Sequence, residues 1–471
     1  CLMSLLIPGT NSIKDTGYNV ANSLRFNSGS SDRLTRSFSA GDSTLWTWSG
    51  WIKRSKLGSR QSIFTAYNNS TNLTRMEFTA NDELKFNDEN NNNTNGRIVS
   101  TAKFRDTASW YHIVFQWDSS DSTSGDRLRM HVNNVRITDF SDTGNAPSTG
   151  SQANTAITHE LGSENNGTFF EGYMAEVVFI NGANLDPDQF GEYNEDSPTI
   201  WQPKDVSGLT FGTTGFYLDF EDSSALGNDV SGNNNDWTVS NLTSVDQSTD
   251  TCTNNFATLN PLVKQDHAFS DGNLTYTSSA SDWDSAFSTI GVSSGKWYVE
   301  TKITALGDSG SVTRTMFGLT DVRNINEAAE DELIANFSNG DTIAIYGSSS
   351  NQLYKNGSAQ SGSWSAFTTN DILGMFVDLD NGYVYFSKNG SMDNSGNPAS
   401  GSSGTGGISI TTGQTYVFGV TNYNGGATSL NFGSPAYAVS SGNADPNSYG
   451  NFEYDTQNYY TLNTKNLGEF G

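Results

Sequence analysis

Residues 371–390, DILGMFVDLDNGYVYFSKNG, constrain the fold of this chain more than any other stretch. Asn381-Gly382 is a strong hairpin-turn signal, because a type I′ turn needs positive φ at both central positions and these two residue types tolerate it best. With that turn, Asp380 faces Tyr383, Leu379 faces Val384, Asp378 faces Tyr385 and Val377 faces Phe386. Val377, Leu379, Val384 and Phe386 then share an apolar face, while Asp378, Asp380, Tyr383 and Tyr385 share a polar one. A strand pair with one buried and one wet side belongs in an antiparallel sandwich.

The 471 residues give room for about two to four domains, each able to bury a core. Aromatic residues at 12% and charged residues at 16% suit many short strands joined by polar turns and argue against global disorder, with parts of the Asn-rich loops expected to be mobile. A net charge of −26 disfavours nucleic acid and anionic membrane surfaces, both of which demand Lys and Arg. Its simplest consequence is solubility, and it leaves divalent cations such as calcium as candidate ligands. Cys1 and Cys252 build neither a disulfide framework nor a metal cluster. No run approaches the ~20 apolar residues that cross a bilayer, so no membrane insertion is expected, and the MSLLI run at 3–7 is too short for a signal-peptide core.

Residues 1–20 read as an arm. From 21 to 205, strand-like runs recur between polar turns, and the alternation of Leu128, Met130 and Val132 with Arg127, Arg129 and His131 before Asn133-Asn134 makes a second hairpin. Helical periodicity is nearly absent; only 186–193, opening Asp-Pro, reads as a short helix. The ordered series LWTWSGWIKR (45–54), WYHIVFQWD (110–118), RMHVNNVRI (129–137) and GYMAEVVFINGANLDPDQFGEY (172–193) resembles the laminin-G or concanavalin A-like lectin superfamily. That resemblance implies a two-sheet jelly roll, which the strand pattern also argues.

Residues 206–270 hold two strand-like pieces around an oxygen-rich loop and read as strands that either complete the first sandwich or bridge it to a second. From 271 to 437, GKWYVETKI (295–303), MFGLTD (316–321), QLYKNG (352–357) and the opening hairpin resemble, in that order, the SPRY domain, a bent antiparallel sandwich whose edge loops bind partners. A Gly/Ser-rich insertion at 389–407 departs from that family's compact pattern and reads as a mobile surface loop. Residues 438–471 read as a C-terminal tail or junction. The fold class expected is therefore all-β, with two antiparallel sandwich or jelly-roll domains in tandem and a third left open.

Catalysis finds little support. Glycan-cleaving members of the concanavalin A-like superfamily commonly carry Glu-x-Asp-x-Glu on one strand, which sets alternate carboxylates on one face. The only Glu-x-Asp here is Glu453-Tyr454-Asp455, with Gln457 or Asn458 where the last Glu would stand. His112, His131, His159 and His267 lack metal-ligand spacing, and no nucleophile elbow is flanked by a strand and a helix. Asp222, Asp229, Asn233 and Asp236 offer hard oxygens in a Gly-punctuated loop, as calcium prefers, although the same residues dominate ordinary turns. The face of Asp378, Asp380, Tyr383 and Tyr385 suits sugar binding through stacking and carboxylate acceptors, or is a solvent face. Trp46, Trp48 and Trp51 carry the same ambiguity, with core packing the simpler reading.

The two resemblances, the strands between them and the C-terminal region together resemble tail-fibre or other surface proteins of bacteriophages. The expectation is a non-enzymatic structural or adhesive protein at the virion surface. It would form homo-oligomers, contact other virion proteins and display its loops to a host surface glycan or protein. A capsid-decoration or tail-connecting role and a polysaccharide depolymerase are the alternatives.

Overall fold

The computed structural model describes residues 17–263, 267–278, 283–307, 314–326, 334–347 and 352–471. Of the arm read at 1–20, residues 1–16, including Cys1, lie outside the described residues. The architecture is nearly all β, with antiparallel sheets and a single described α-helix, Thr464–Phe470. The chain divides into two compact units, one spanning Thr16–Thr253 and one containing Asn254–Gly471.

The first unit is a two-sheet sandwich. One sheet centres on Leu45–Arg54, Trp110–Asp118 and Gly172–Asn181, and the other on Gln61–Asn69, Asn72–Phe78, Glu83–Asn90 and Asn93–Lys103. Period-2 alternation sends Trp46, Trp48, Phe115, Trp117 and Phe179 from the first sheet against Phe64, Met76 and Phe86 from the second, all fully buried. Trp51 points to the opposite face and packs with Trp110 and Tyr173. The piece at 206–253 completes this sandwich. Phe216–Leu218 pairs with Gly172–Asn181, Thr238–Ser240 with Arg33–Ser37, and Gln247–Ser248 with Ser23–Phe26. Strands of two or three residues cannot stand alone, and Phe216 and Trp237 join the same aromatic core as Phe64 and Phe179. The segment read as a helix at 186–193 is one 3-10 turn, Pro187–Gln189, followed by the strand Gly191–Tyr193.

The second unit is also built of two sheets. One holds Ala427–Asn431, Lys296–Ala305, Ile372–Asp378 and Tyr383–Lys388 as neighbours, and the other holds Trp283–Val292, Tyr416–Tyr423, Thr315–Asp321 and Thr342–Tyr346. Their facing side chains, among them Trp297, Val299, Phe317, Met375, Val377, Phe386 and Phe418, form one core. Residues 438–471 are not a tail. Leu462 and Leu467 are buried in that core, and Asn463 caps the final helix by accepting the Asn466 N–H at 2.9 Å. The Asp445 carboxylate binds the segment to itself through the N–H groups of Asn447, Tyr449 and Thr461 and the Asn466 amide.

The opening hairpin exists, with a longer turn than its sequence suggests. Asp378 pairs with Tyr383, Val377 with Val384 and Phe376 with Tyr385, so 379–382 form a four-residue connection. Gly382 has φ +74, whereas Asn381 is not among the positive-φ residues, and the type I′ turn is absent. The pairing is displaced by two residues from the expected one. An even displacement keeps every side chain on its expected face, and Val377, Leu379, Val384 and Phe386 do line the core.

Candidate functional site

The hairpin's second face is covered at Asp378 and Tyr385, with Tyr383 half-buried and Asp380 exposed at the turn. Asp378 is fully buried; its carboxylate accepts the Asn381 N–H at 2.9 Å and pairs with Lys296 at 2.9 Å. Asp380 accepts the Gly295 N–H at 2.8 Å. Tyr385 is buried beside Phe376, Tyr298, Phe452 and Tyr459. The insertion at 389–407 lies over these rings. Tyr383 donates to the Ser402 carbonyl, Tyr459 donates to the Pro398 carbonyl, and Tyr385 shares a hydrogen bond with the Ser400 hydroxyl. A Cβ at Gly404 would lie 2.2 Å from the Tyr383 ring. The Gly content that suggested mobility is thus what permits close contact. Asp378, Asp380, Tyr383 and Tyr385 hold the turn and the insertion in place.

The loop with Asp222, Asp229, Asn233 and Asp236 turns its oxygens on its own backbone. Asp229 accepts the N–H groups of Tyr217, Ser231 and Asn235 and the Ser231 hydroxyl, and Asp236 accepts the Asp229 N–H. Asp222 accepts the N–H and hydroxyl of Ser224. Asn233 donates to the carbonyls of Gly212 and Gly215. These four act as turn formers, and among the described residues no group of three or more His, Cys, Asp or Glu is placed to hold a metal ion. His112 and His159 are buried strand residues; burial pushes both pKa values down to about 3.

The arrangement best built to receive a ligand in the first unit is a cleft of about 420 Å³ lined by Asn90, Asn91, Asn93, Thr94, Asn95 and Asn145, with Ser148 and Thr149. It begins at the hairpin joining Glu83–Asn90 to Asn93–Lys103. Asn91 and Asn92 sit at φ +50 and +63, the double left-handed turn that Asn tolerates best. The Asn72 side chain accepts the Asn91 N–H at 3.0 Å, and Asn145 donates to the Thr94 carbonyl at 3.1 Å. Asn95, nearly buried, donates to the Asp88 carboxylate at 2.9 Å and to the Gly150 carbonyl at 3.1 Å, and accepts the Thr149 hydroxyl at 3.0 Å. Asp88 also accepts the Thr74 hydroxyl and the Gln152 N–H. Burial holds its pKa above the ordinary carboxylate value. A buried carboxylate thereby fixes the cleft wall, while the lining itself carries no ionisable side chain. Amides and hydroxyls both donate and accept, as a neutral polyhydroxylated ligand requires. The run NDENNNNTNG at 87–96 was the available sequence signal, a cluster of amides at a turn.

A second feature gave no sequence signal. Glu176 lies within the apolar run of Gly172–Asn181 at a β-bulge, with φ +50. Its carboxyl accepts the Tyr217 hydroxyl at 2.7 Å and the Tyr18 hydroxyl at 3.3 Å. Burial, reinforced by Asp219 and Glu221, pushes its pKa up to about 8.

Comparison with known proteins bears on the first unit most directly. Residues 27–188 match the family model of the concanavalin A-like lectin/glucanases superfamily. That part of the first unit is similar to concanavalin A-like lectin domains. The Asn-lined cleft lies within the matched residues. Solved structures similar to the chain include the SPRY domain of human HERC1, at 19% identity over 36% of this chain and 96% of that one, with a TM-score of 0.28. A heptameric SAP-like pentraxin from Limulus polyphemus is 16% identical over 37% of this chain and 82% of that one, TM-score 0.28. Domain 4 of AbnA, a GH43 extracellular arabinanase from Geobacillus stearothermophilus solved with arabinotriose, is 15% identical over 32% of this chain and 68% of that one, TM-score 0.23. No curated protein matches the chain.

Proposed function

We propose that this chain is a non-enzymatic carbohydrate-binding protein of a phage particle, exposed at the virion surface, whose first unit takes a neutral host glycan in the Asn-lined cleft. The observation that carries the reading is the uncharged, amide-lined cleft, anchored through the buried Asn95, inside the domain matched to the lectin superfamily. Single sites of this kind are weak, and copies held together in a homo-oligomer supply avidity. Other virion proteins are its structural partners, and the SPRY-like character read in the second unit fits a display or docking role. The net charge of −26 agrees with a partner other than nucleic acid.

A glycan array with the purified full chain tests this, together with antibody labelling of particles. Retention of neutral glycans and labelling at the particle surface are expected. Labelling with silence across the array would favour a purely structural decoration role. Release of reducing sugar from host polysaccharide would make the protein a depolymerase.

A further inference from the structure

The second unit contains a cavity of about 310 Å³, at the lower end of the range that holds small ligands. Three segments distant in sequence form it. Phe376, on the covered face of the hairpin, and Met392, just after it, form one side. Asn397 comes from the insertion, and Tyr454, Asp455 and Gln457 come from the C-terminal segment. All lie within one compact unit.

The walls are held from behind. Glu300, fully buried, accepts the backbone N–H groups of Glu453 at 3.1 Å and Tyr454 at 2.9 Å, and also the Tyr298 hydroxyl at 2.9 Å. That anchor sets where Tyr454 enters the cavity. The Tyr454 ring lies against Gly390, where a Cβ would approach it to 2.7 Å. Asp455 accepts the Gln457 N–H at 2.8 Å through one oxygen; its other oxygen has no protein partner among the described residues.

We infer that this cavity is a second carbohydrate site, for one pyranose unit that is neutral or basic rather than acidic. The half-buried Tyr454 ring offers flat apolar contact for the C–H face of a sugar, and Phe376, buried against Tyr298 and Tyr459, closes the floor beneath it. An exposed carboxylate and two amides, Asp455, Asn397 and Gln457, offer acceptors and donors for adjacent hydroxyls. The lining contains no Lys or Arg, so a uronic or sialic acid would meet an unbalanced negative charge at Asp455. The inference stands apart from the first unit's cleft, because it rests on a different cavity in a different unit. Two sites in one chain would let a repeating polysaccharide be held at two points.

Saturation-transfer NMR on the full chain tests it, using the methyl glycosides of glucose, galactose, mannose and N-acetylglucosamine, with methyl glucuronide as the acidic control. At least one neutral glycoside should bind and the glucuronide should not. Asp455→Asn keeps an acceptor for the Gln457 N–H and so keeps the turn, yet it should weaken that binding about tenfold or more. With Asn145→Ala as the common background, so that the first unit's cleft does not contribute, Tyr454→Ala should weaken it as well and Tyr454→Phe should restore it. Binding in that background that ignores Asp455→Asn and Tyr454→Ala would overturn the inference. Failure of every neutral glycoside to bind would also overturn it, whatever the array shows for the first unit.

Discussion

The buried Glu176 makes the first unit's stability depend on pH in a way that can be worked out beforehand. Its carboxyl ionises at the ordinary 4.5 in the unfolded chain and at about 8 in the folded one. A folded value above the unfolded one means the native state holds the proton more tightly, so the stabilisation is fully present below pH ~4.5 and is lost as pH rises through about 8. At ~1.4 kcal/mol per pH unit across that window, the loss amounts to about 5 kcal/mol. Glu176→Gln holds the group neutral and keeps an acceptor for Tyr217 and Tyr18, and the φ +50 backbone costs the same in both proteins. Urea denaturation of the full chain, with a brief thiol-labelling pulse at Cys252 quantified by mass spectrometry, reports on the first unit. Wild type should lose stability steeply between pH 5 and 8 relative to Glu176→Gln, and the variant should be the more stable protein at pH 9. Parallel curves for the two proteins across this range would refute the assignment of a protonated, buried Glu176.

Other outcomes follow from single carboxylates. Asp229→Ala should cost about 2–4 kcal/mol, because three backbone N–H groups and one hydroxyl lose their acceptor; calcium or EDTA should leave the wild-type melting temperature unchanged, and calorimetry reads both. Glu300→Ala should cost about 3–5 kcal/mol by stranding the buried N–H groups of Glu453 and Tyr454 and the Tyr298 hydroxyl. Limited proteolysis should then cut first within 438–471.

What the sequence made legible was whatever depends on residues near one another. Period-2 alternation placed Trp46 and Trp48 in the core and gave the hairpin's two faces correctly, and these survived a turn of the wrong length because the displacement was even. The burial of Asp378 and Tyr385 was not legible, because it depends on an insertion and a C-terminal segment that fold over them from elsewhere in the chain. Asp229 and Asp236 admitted two readings, turn former or metal ligand, because carboxylate oxygens serve a backbone N–H and a cation equally well; the fold turns both on backbone N–H groups. Asp455 stands in a Glu-x-Asp sequence that lacks the final Glu, and its cavity forms only when three segments meet. Glu176 sits in an apolar strand where composition gives no hint of a bulge.

The central claim is that a neutral glycan occupies the cleft between the Asn91-Asn92 turn and Asn145. Calorimetric titration of the strongest array glycan into the full chain, compared with Asn93→Ala and Asn145→Ala, tests it most directly. Neither variant removes a core contact, so both should fold as wild type and bind about tenfold more weakly. Unchanged affinity in both variants would contradict the assignment of this cleft as the glycan site.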